Sequence, residues 1–268
     1  MTKDLQRRVI FGAIALLIFF PFIWVGGVPF QLFVGMLGMI ATSELIRMHR
    51  LSPSSIEGVL AMLATFVLIL PLEDYLSFLP VDGNYTAYAI VIFILLGSTV
   101  FNMKTYSYSE VVFPIASSLY VGIGFHNLVT ARMDSFSKVL FALLIVWATD
   151  IGAYMIGRKI GKRKLMPAVS PNKTVEGFLG GIVSAVVVAI LFVLVHSSFA
   201  AGYSIPILVI LVVIFSVFAQ FGDLVESAIK RRFGVKDSGR VIPGHGGILD
   251  RFDSLIFVFP IMHFFGLF

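Results

Sequence analysis

Nine apolar stretches, each near twenty residues, constrain this chain more than any other feature. They fall at about 9–26, 29–48, 55–71, 85–101, 110–130, 138–157, 175–196, 205–226 and 253–268. A membrane-crossing helix needs about 20 mostly apolar residues. The runs are too long for strands and do not alternate, which argues against a membrane β-barrel. Of 268 residues, 58% are hydrophobic and 13% charged, whereas a soluble domain has about a quarter charged. The expected fold is therefore all-α, a polytopic membrane protein of about nine helices. An ordinary soluble enzyme, a disordered chain and a nucleic-acid-binding module are excluded. The first stretch is read as a retained span: Pro21 interrupts it and no small-x-small cleavage site follows.

Loop charges orient the chain. With a cytoplasmic N-terminus, eighteen of the twenty Lys and Arg fall in inside loops, and only Arg132 and Lys138 fall outside. This is a strong positive-inside signal. Twelve of the eighteen crowd into two loops, 157–174 and 227–252. The topology rule alone does not require that crowding, so the cytoplasmic side of the last four helices has another use for positive charge. Cysteine is absent, which removes disulfides, a thiolate nucleophile and thiolate metal sites.

Acids inside spans are costly and mark function by default. Asp150 lies about two turns from the end of the sixth helix, with Tyr154 and Arg158 following at i+4 and i+8 on one face. Pairing with a buried base for helix packing is the plainer reading of Asp150. On the eighth helix, Asp223, Glu226, Ser227, Lys230 and Arg231 share a second polar face. Glu226–Lys230 also reads as an ordinary i,i+4 pair. The next loop carries Pro243-Gly244-His245-Gly246-Gly247, then Asp250 and Asp253 at the start of the ninth helix. Such glycines let backbone N–H groups approach an anion, and helix-start acids also simply complement the dipole. In the segment 170–177, Thr174 reads as an N-cap and Glu176 as a first-turn acid. Lys173 is out of place at a helix N-terminus unless an anion is bound there. Small residues Gly177, Gly181, Ser184 and Ala185 line one face of the seventh helix. They favour close packing within the chain over a dimer seam.

Carboxylates at Asp150, Asp223, Asp250 and Asp253 amid Lys and Arg suit Mg²⁺ and phosphate. Zinc-type His/Cys spacing, GxSxG and a Walker A loop are absent; the run 157–164 has the wrong spacing. The constellation points to Mg²⁺-dependent phosphate chemistry at a cytoplasmic membrane surface.

The run 227–253 closely resembles the signature of the phosphatidate cytidylyltransferases, or CDP-diacylglycerol synthases. It carries Ser227, Lys230-Arg231, Lys236-Asp237, Pro243-Gly244-His245-Gly246-Gly247 and Asp250-Arg251-Phe252-Asp253 without departure. The blocks 147–161 and 170–177 resemble upstream parts of the same family. Residues 1–130 resemble it only in being hydrophobic and are expected to be scaffold, with 131–268 carrying the catalytic site. The resemblance implies transfer of CMP from CTP to phosphatidate in the inner (cytoplasmic) membrane. It implies Mg²⁺, room for a second cation, and a homodimer; no nucleic acid is expected. Under this reading the catalytic residues are Asp223, Asp250, Asp150, Asp253 and His245, with Asp223 and Asp250 as metal ligands. Lys173, Ser227, Lys230, Arg231, Lys236, Gly246, Gly247 and Arg251 would bind substrate. A gap between helices near Asp150 and Asp223 would let acyl chains stay in lipid. The competing readings are a secondary transporter of an anionic substrate and a lipid enzyme joining a CDP-activated lipid to an alcohol. Against the first, the polar cluster is one-sided and no inverted repeat is visible. Against the second, the expected Asp-rich run is missing.

Overall fold

The computed structural model describes residues 3–75, 83–101, 106–196, 199, 203–244 and 246–268. His245 and Lys104 fall outside them. Nine α-helices occur among the described residues: α1 (Lys3–Val25), α2 (Gly27–Met48), α3 (Ile56–Ile69), α4 (Gly83–Phe101), α5 (Tyr108–Asp134), α6 (Phe136–Ile160), α7 (Val175–Val195), α8 (Ile205–Arg232) and α9 (Leu249–Phe264). The all-α expectation holds. Six of these helices, α2 and α4 to α8, are long and apolar enough to cross a membrane. Of the other three, α1 carries an apolar run from Ile10 to Val25, and α3 and α9 are shorter, with 14 and 16 residues. At 1.5 Å per residue, fourteen residues reach only about 21 Å. α1 runs on through Pro21, so the proline expected to interrupt the first stretch lies inside a helix. The loop after α6 also holds a two-stranded antiparallel hairpin, β1 (Lys164–Met166) and β2 (Ser170–Thr174), with Lys164 opposite Thr174.

The chain divides into two compact units. The first comprises residues 1–133 together with 235–251. In it, α2 and α3 pack closely because Gly35 and Gly38 leave room for Phe66 and Ile69, and Thr42 and Thr65 share a buried hydroxyl hydrogen bond of 2.7 Å. Gly26 turns the chain between α1 and α2 at φ +68, and an added Cβ would fall 2.5 Å from the Arg132 guanidinium. That guanidinium donates to the carbonyls of Ile23 and Trp24 at the end of α1. It thereby satisfies two of the orphan acceptors that every helix C-terminus leaves. Phe30, Val34, Leu45, Leu68 and Phe125 are buried here.

The second unit comprises residues 134–234 and 252–268. Its centre is the α6–α7 pair. A Cβ on Gly152 would meet Ser184 Oγ at 2.1 Å, and one on Gly181 would meet the Thr149 carbonyl at 2.8 Å. The small-residue face of α7 is thus packed against α6 of the same chain. α8 joins through Thr149 Oγ1 donating to Ser216 Oγ at 2.9 Å, and through Gln220 Nε2 donating to the Phe178 carbonyl at 3.2 Å. These polar contacts between apolar helices fix rotation as well as distance.

Candidate active site

In the second unit, the chain between α6 and α7 is folded back by local chemistry. Thr174 is the N-cap of α7, its hydroxyl accepting from the Gly177 N–H at 3.1 Å. Glu176 in the first turn accepts from the backbone N–H groups of Lys162 and Arg163 at 3.0 and 3.2 Å. The hairpin is therefore tied at both ends to the start of α7, and Lys173 on β2 is turned toward α8. There Lys173 Nζ pairs with Asp223 Oδ2 at 2.7 Å and donates to the Gln220 carbonyl at 3.4 Å. Ser227, one turn on, donates to Asp223 Oδ1 at 3.3 Å.

A cavity of about 440 Å³ opens over this pair, lined by Asp150, Tyr154, Arg158, Lys173, Gln220 and Asp223 among others. The stripe Asp150, Tyr154, Arg158 expected on α6 lines it, with Arg158 donating to the Tyr154 hydroxyl at 3.1 Å. Asp253 on α9 experiences the charges of Asp223, Asp150 and Lys230. Two carboxylates and a lysine thus act together on Asp253. Among the described residues, no three acidic or imidazole side chains form a closed cation cage. Mg²⁺ seldom requires one, since one or two carboxylates and substrate phosphates complete its shell. A hard cation fits this donor set, because it would offset the negative charge that Asp223 and Asp150 place on Asp253.

One turn further along α8 from Asp223, Glu226 is fully buried and paired with Lys230. This is the ordinary i,i+4 pair that the sequence allowed, placed where water cannot reach it. Arg231 Nε reaches the Val169 carbonyl at 3.3 Å, holding the hairpin turn.

In the first unit, the loop 235–251 closes on itself. The Ile242 N–H donates to the Gly246 carbonyl at 2.9 Å, and Gly244 and Gly246 adopt φ +80 and +88. Asp250 Oδ2 accepts from the Ser238 N–H, the Ser238 hydroxyl and the Gly247 N–H, each at 2.8 Å. Gly246 has no room for a side chain, since a Cβ would lie 2.4 Å from that same oxygen. The Gly247 N–H expected to face an anion is already engaged by Asp250. Lys236 and Arg251 are exposed.

Three residues were not anticipated. Ser238 and Gln220 make key contacts, and Glu44, on α2, is 2% exposed. Glu44 Oε1 accepts from the Ile248 N–H and Oε2 from the Leu249 N–H at 2.9 Å each, and Oε2 shares the single Ser238 hydroxyl proton with Asp250 at 2.9 Å. An acid inside a predicted span was signal enough to find Glu44. Ser238 and Gln220 carry no such mark.

The chain matches the Cytidylyltransferase family over residues 6–268. It is 43% identical over 263 residues to "Phosphatidate cytidylyltransferase" of Staphylococcus haemolyticus, covering 97% of this chain and 98% of that protein. It is 42% identical over 268 residues to the protein of the same name from Bacillus subtilis, covering 97% of each. That of Staphylococcus aureus is 40% identical over 259 residues. With the match spanning nearly the whole chain, this membrane protein belongs to the cytidylyltransferase family.

Proposed function

We infer that this chain transfers CMP from CTP to phosphatidate, forming CDP-diacylglycerol and pyrophosphate, as an Mg²⁺-dependent enzyme of the bacterial inner membrane. The observation that carries the reading is the Lys173–Asp223 pair over a 440 Å³ cavity also lined by Asp150, in a chain of this family.

The chemistry asks little of a general base. A phosphomonoester's second pKa is near 6, so the phosphatidate phosphate is already mostly dianionic at neutral pH. One of its oxygens attacks the α-phosphorus of CTP. A new P–O bond forms, the α–β P–O bond breaks, and pyrophosphate leaves in line with both electrons of that bond. No enzyme-bound covalent intermediate is needed. The work left to the protein is to position two polyanions and spread their charge.

Lys173, Lys230, Arg231, Lys236 and Arg251 would neutralise phosphates, and Ser227 would donate to one of their oxygens. Asp223 and Asp250 are the proposed Mg²⁺ ligands. The family resemblance supports both, and the charge that Asp223 exerts on Asp253 supports the first. Asp150 and Asp253 would serve as further ligands or hold bound water. A bound Mg²⁺ would supply charge stabilisation at the phosphate oxygens. His245, Gly246 and Gly247 would shape the loop that meets pyrophosphate. We propose a cytoplasmic site, supported by the charge asymmetry of the loops, and a homodimer, supported by the resemblance.

Purified protein given labelled CTP, phosphatidate and Mg²⁺ should yield lipid-linked cytidylate. Flux of an anion into vesicles without that product would instead mark a transporter. Cross-linking in membranes reads the dimer, and thiol labelling of single cysteines introduced into the 157–174 loop reads sidedness.

A further inference from the structure

Glu44 makes three hydrogen bonds across 194 to 205 residues of sequence, all of them to the loop 235–251 and the start of α9. Two of the donors, Ile248 and Leu249, stand at the α9 N-terminus. N–H groups there have no partner within the helix, and a carboxylate facing them is favoured by the dipole. The third, Ser238, lies 2.9 Å from Glu44 Oε2 and 2.8 Å from Asp250 Oδ2. It thereby links the α2 carboxylate to Asp250. The loop's glycines report the same fit. A Cβ on Gly247 would fall 2.3 Å from Glu44 Oε2, and one on Gly239 would fall 2.5 Å from Glu44 Oε1. Neither glycine has a positive φ, so backbone freedom does not explain them. Space for the Glu44 side chain does, shared at Gly247 with the Ser238 hydroxyl, 2.3 Å from the same Cβ position.

We propose that Glu44 is the positioning residue of the 235–251 loop: it fixes Ser238 and the first turn of α9, and so sets how Asp250, Lys236 and Arg251 meet substrate phosphate. This rests on the reading of that loop as part of the cytidylyl-transfer site. Glu44 touches no substrate in this scheme and acts through Ser238 and the backbone of Ile248 and Leu249.

The test uses full-length protein in detergent, with three readouts. Glu44→Ala and Glu44→Gln should each raise the KM for CTP roughly tenfold or more, the loss expected when buried donors lose a charged acceptor. Gln keeps one carbonyl oxygen and turns an N–H₂ toward a donor, so its loss should be the smaller. Gly239→Ala should lower kcat/KM in the wild-type background and have little further effect in Glu44→Ala, because the atoms its Cβ would strike belong to Glu44. The chain has no cysteine, so a spin label on Val241→Cys, a half-exposed loop site, reports the loop alone. Its mobility should rise in Glu44→Ala, in Glu44→Gln and in Gly239→Ala.

Unchanged label mobility in Glu44→Gln and Gly239→Ala would overturn the proposal. So would a lower melting temperature with unchanged KM and kcat per folded molecule, or strictly additive effects of Gly239→Ala and Glu44→Ala. If Glu44→Ala does not fold, Glu44→Gln and Gly239→Ala carry the same decision. A wild-type protein that makes no lipid-linked cytidylate would defeat the functional reading instead, and the label would still decide whether Glu44 holds the loop.

Discussion

Lys173 on β2 and Asp223 on α8 form an ion pair of 2.7 Å with both side chains partly open, 25% and 33% exposed. An ion pair this exposed contributes only about 0–1 kcal/mol to stability. Its placement beside the cavity that Asp150 lines therefore bears on function more than on folding.

Asp223→Asn should lower turnover roughly 100-fold or more, the scale seen when a charge-stabilising group is lost from an active site. The melting temperature of the purified protein should hardly move. Assay of CTP- and Mg²⁺-dependent lipid labelling beside a thermal melt checks both halves. Near-normal turnover would remove Asp223 from the metal site.

Lys173→Met should act differently. It removes a cation from the cavity while leaving Asp223 and Ser227 in place, so substrate affinity should fall more than kcat. A charged hydrogen bond of about 1.5–3 kcal/mol corresponds to roughly a tenfold or greater rise in KM. An equal fall in kcat and kcat/KM would show instead that Lys173 acts only in the transition state.

Lys230→Met would leave the Glu226 carboxylate, 0% exposed, in the interior without its neighbouring ammonium. Breaking such a pair costs about 3–5 kcal/mol. Adding Glu226→Leu should recover much of that stability, because an apolar pair of similar volume often matches a buried ion pair. Activity should not return with it if Lys230 also serves phosphate. Thermal melts and turnover on the single and double variants separate the two roles.

Gly152→Ala should loosen the α6–α7 seam, since its Cβ would meet Ser184 Oγ at 2.1 Å. Overpacking of this kind costs about 1–3 kcal/mol. Ser184→Gly should relieve most of it. The Gly180 carbonyl, 3.0 Å from the same position, should keep a small residual cost in the double variant.

Chelation should stop turnover and added Mg²⁺ should restore it, measured on detergent-solubilised protein with EDTA followed by dialysis. Activity that persists in EDTA would count against a metal at Asp223.

The helices were legible because a membrane helix is an apolar run of fixed length, and length and hydrophobicity are local properties. The polar stripe Asp150, Tyr154, Arg158 was legible for a similar reason: spacing of four within one helix fixes a face. Thr174 and Glu176 showed themselves as cap and first-turn acid by the same local logic. What failed to show were partners from distant elements. Gln220 looks like any polar residue in a helix, yet its side chain donates to the Phe178 carbonyl and its own carbonyl accepts from Lys173. The glycines of the 243–247 run suggested a phosphate cradle. In the folded chain, the Gly247 N–H is taken by Asp250.

The sequence by itself determined a many-helix membrane protein with its basic residues gathered on one side and a family signature near its C-terminal end. Hydropathy, charge bias and motif spacing are additive along a chain and need no knowledge of packing. Only the tertiary structure decided that Lys173 neutralises Asp223, that Glu226 is buried with Lys230, and that Glu44 holds the signature loop from α2. The reason is that a hydrogen bond between residues 194 apart depends on where a helix and a distant loop come to rest. No periodicity in the sequence encodes that position.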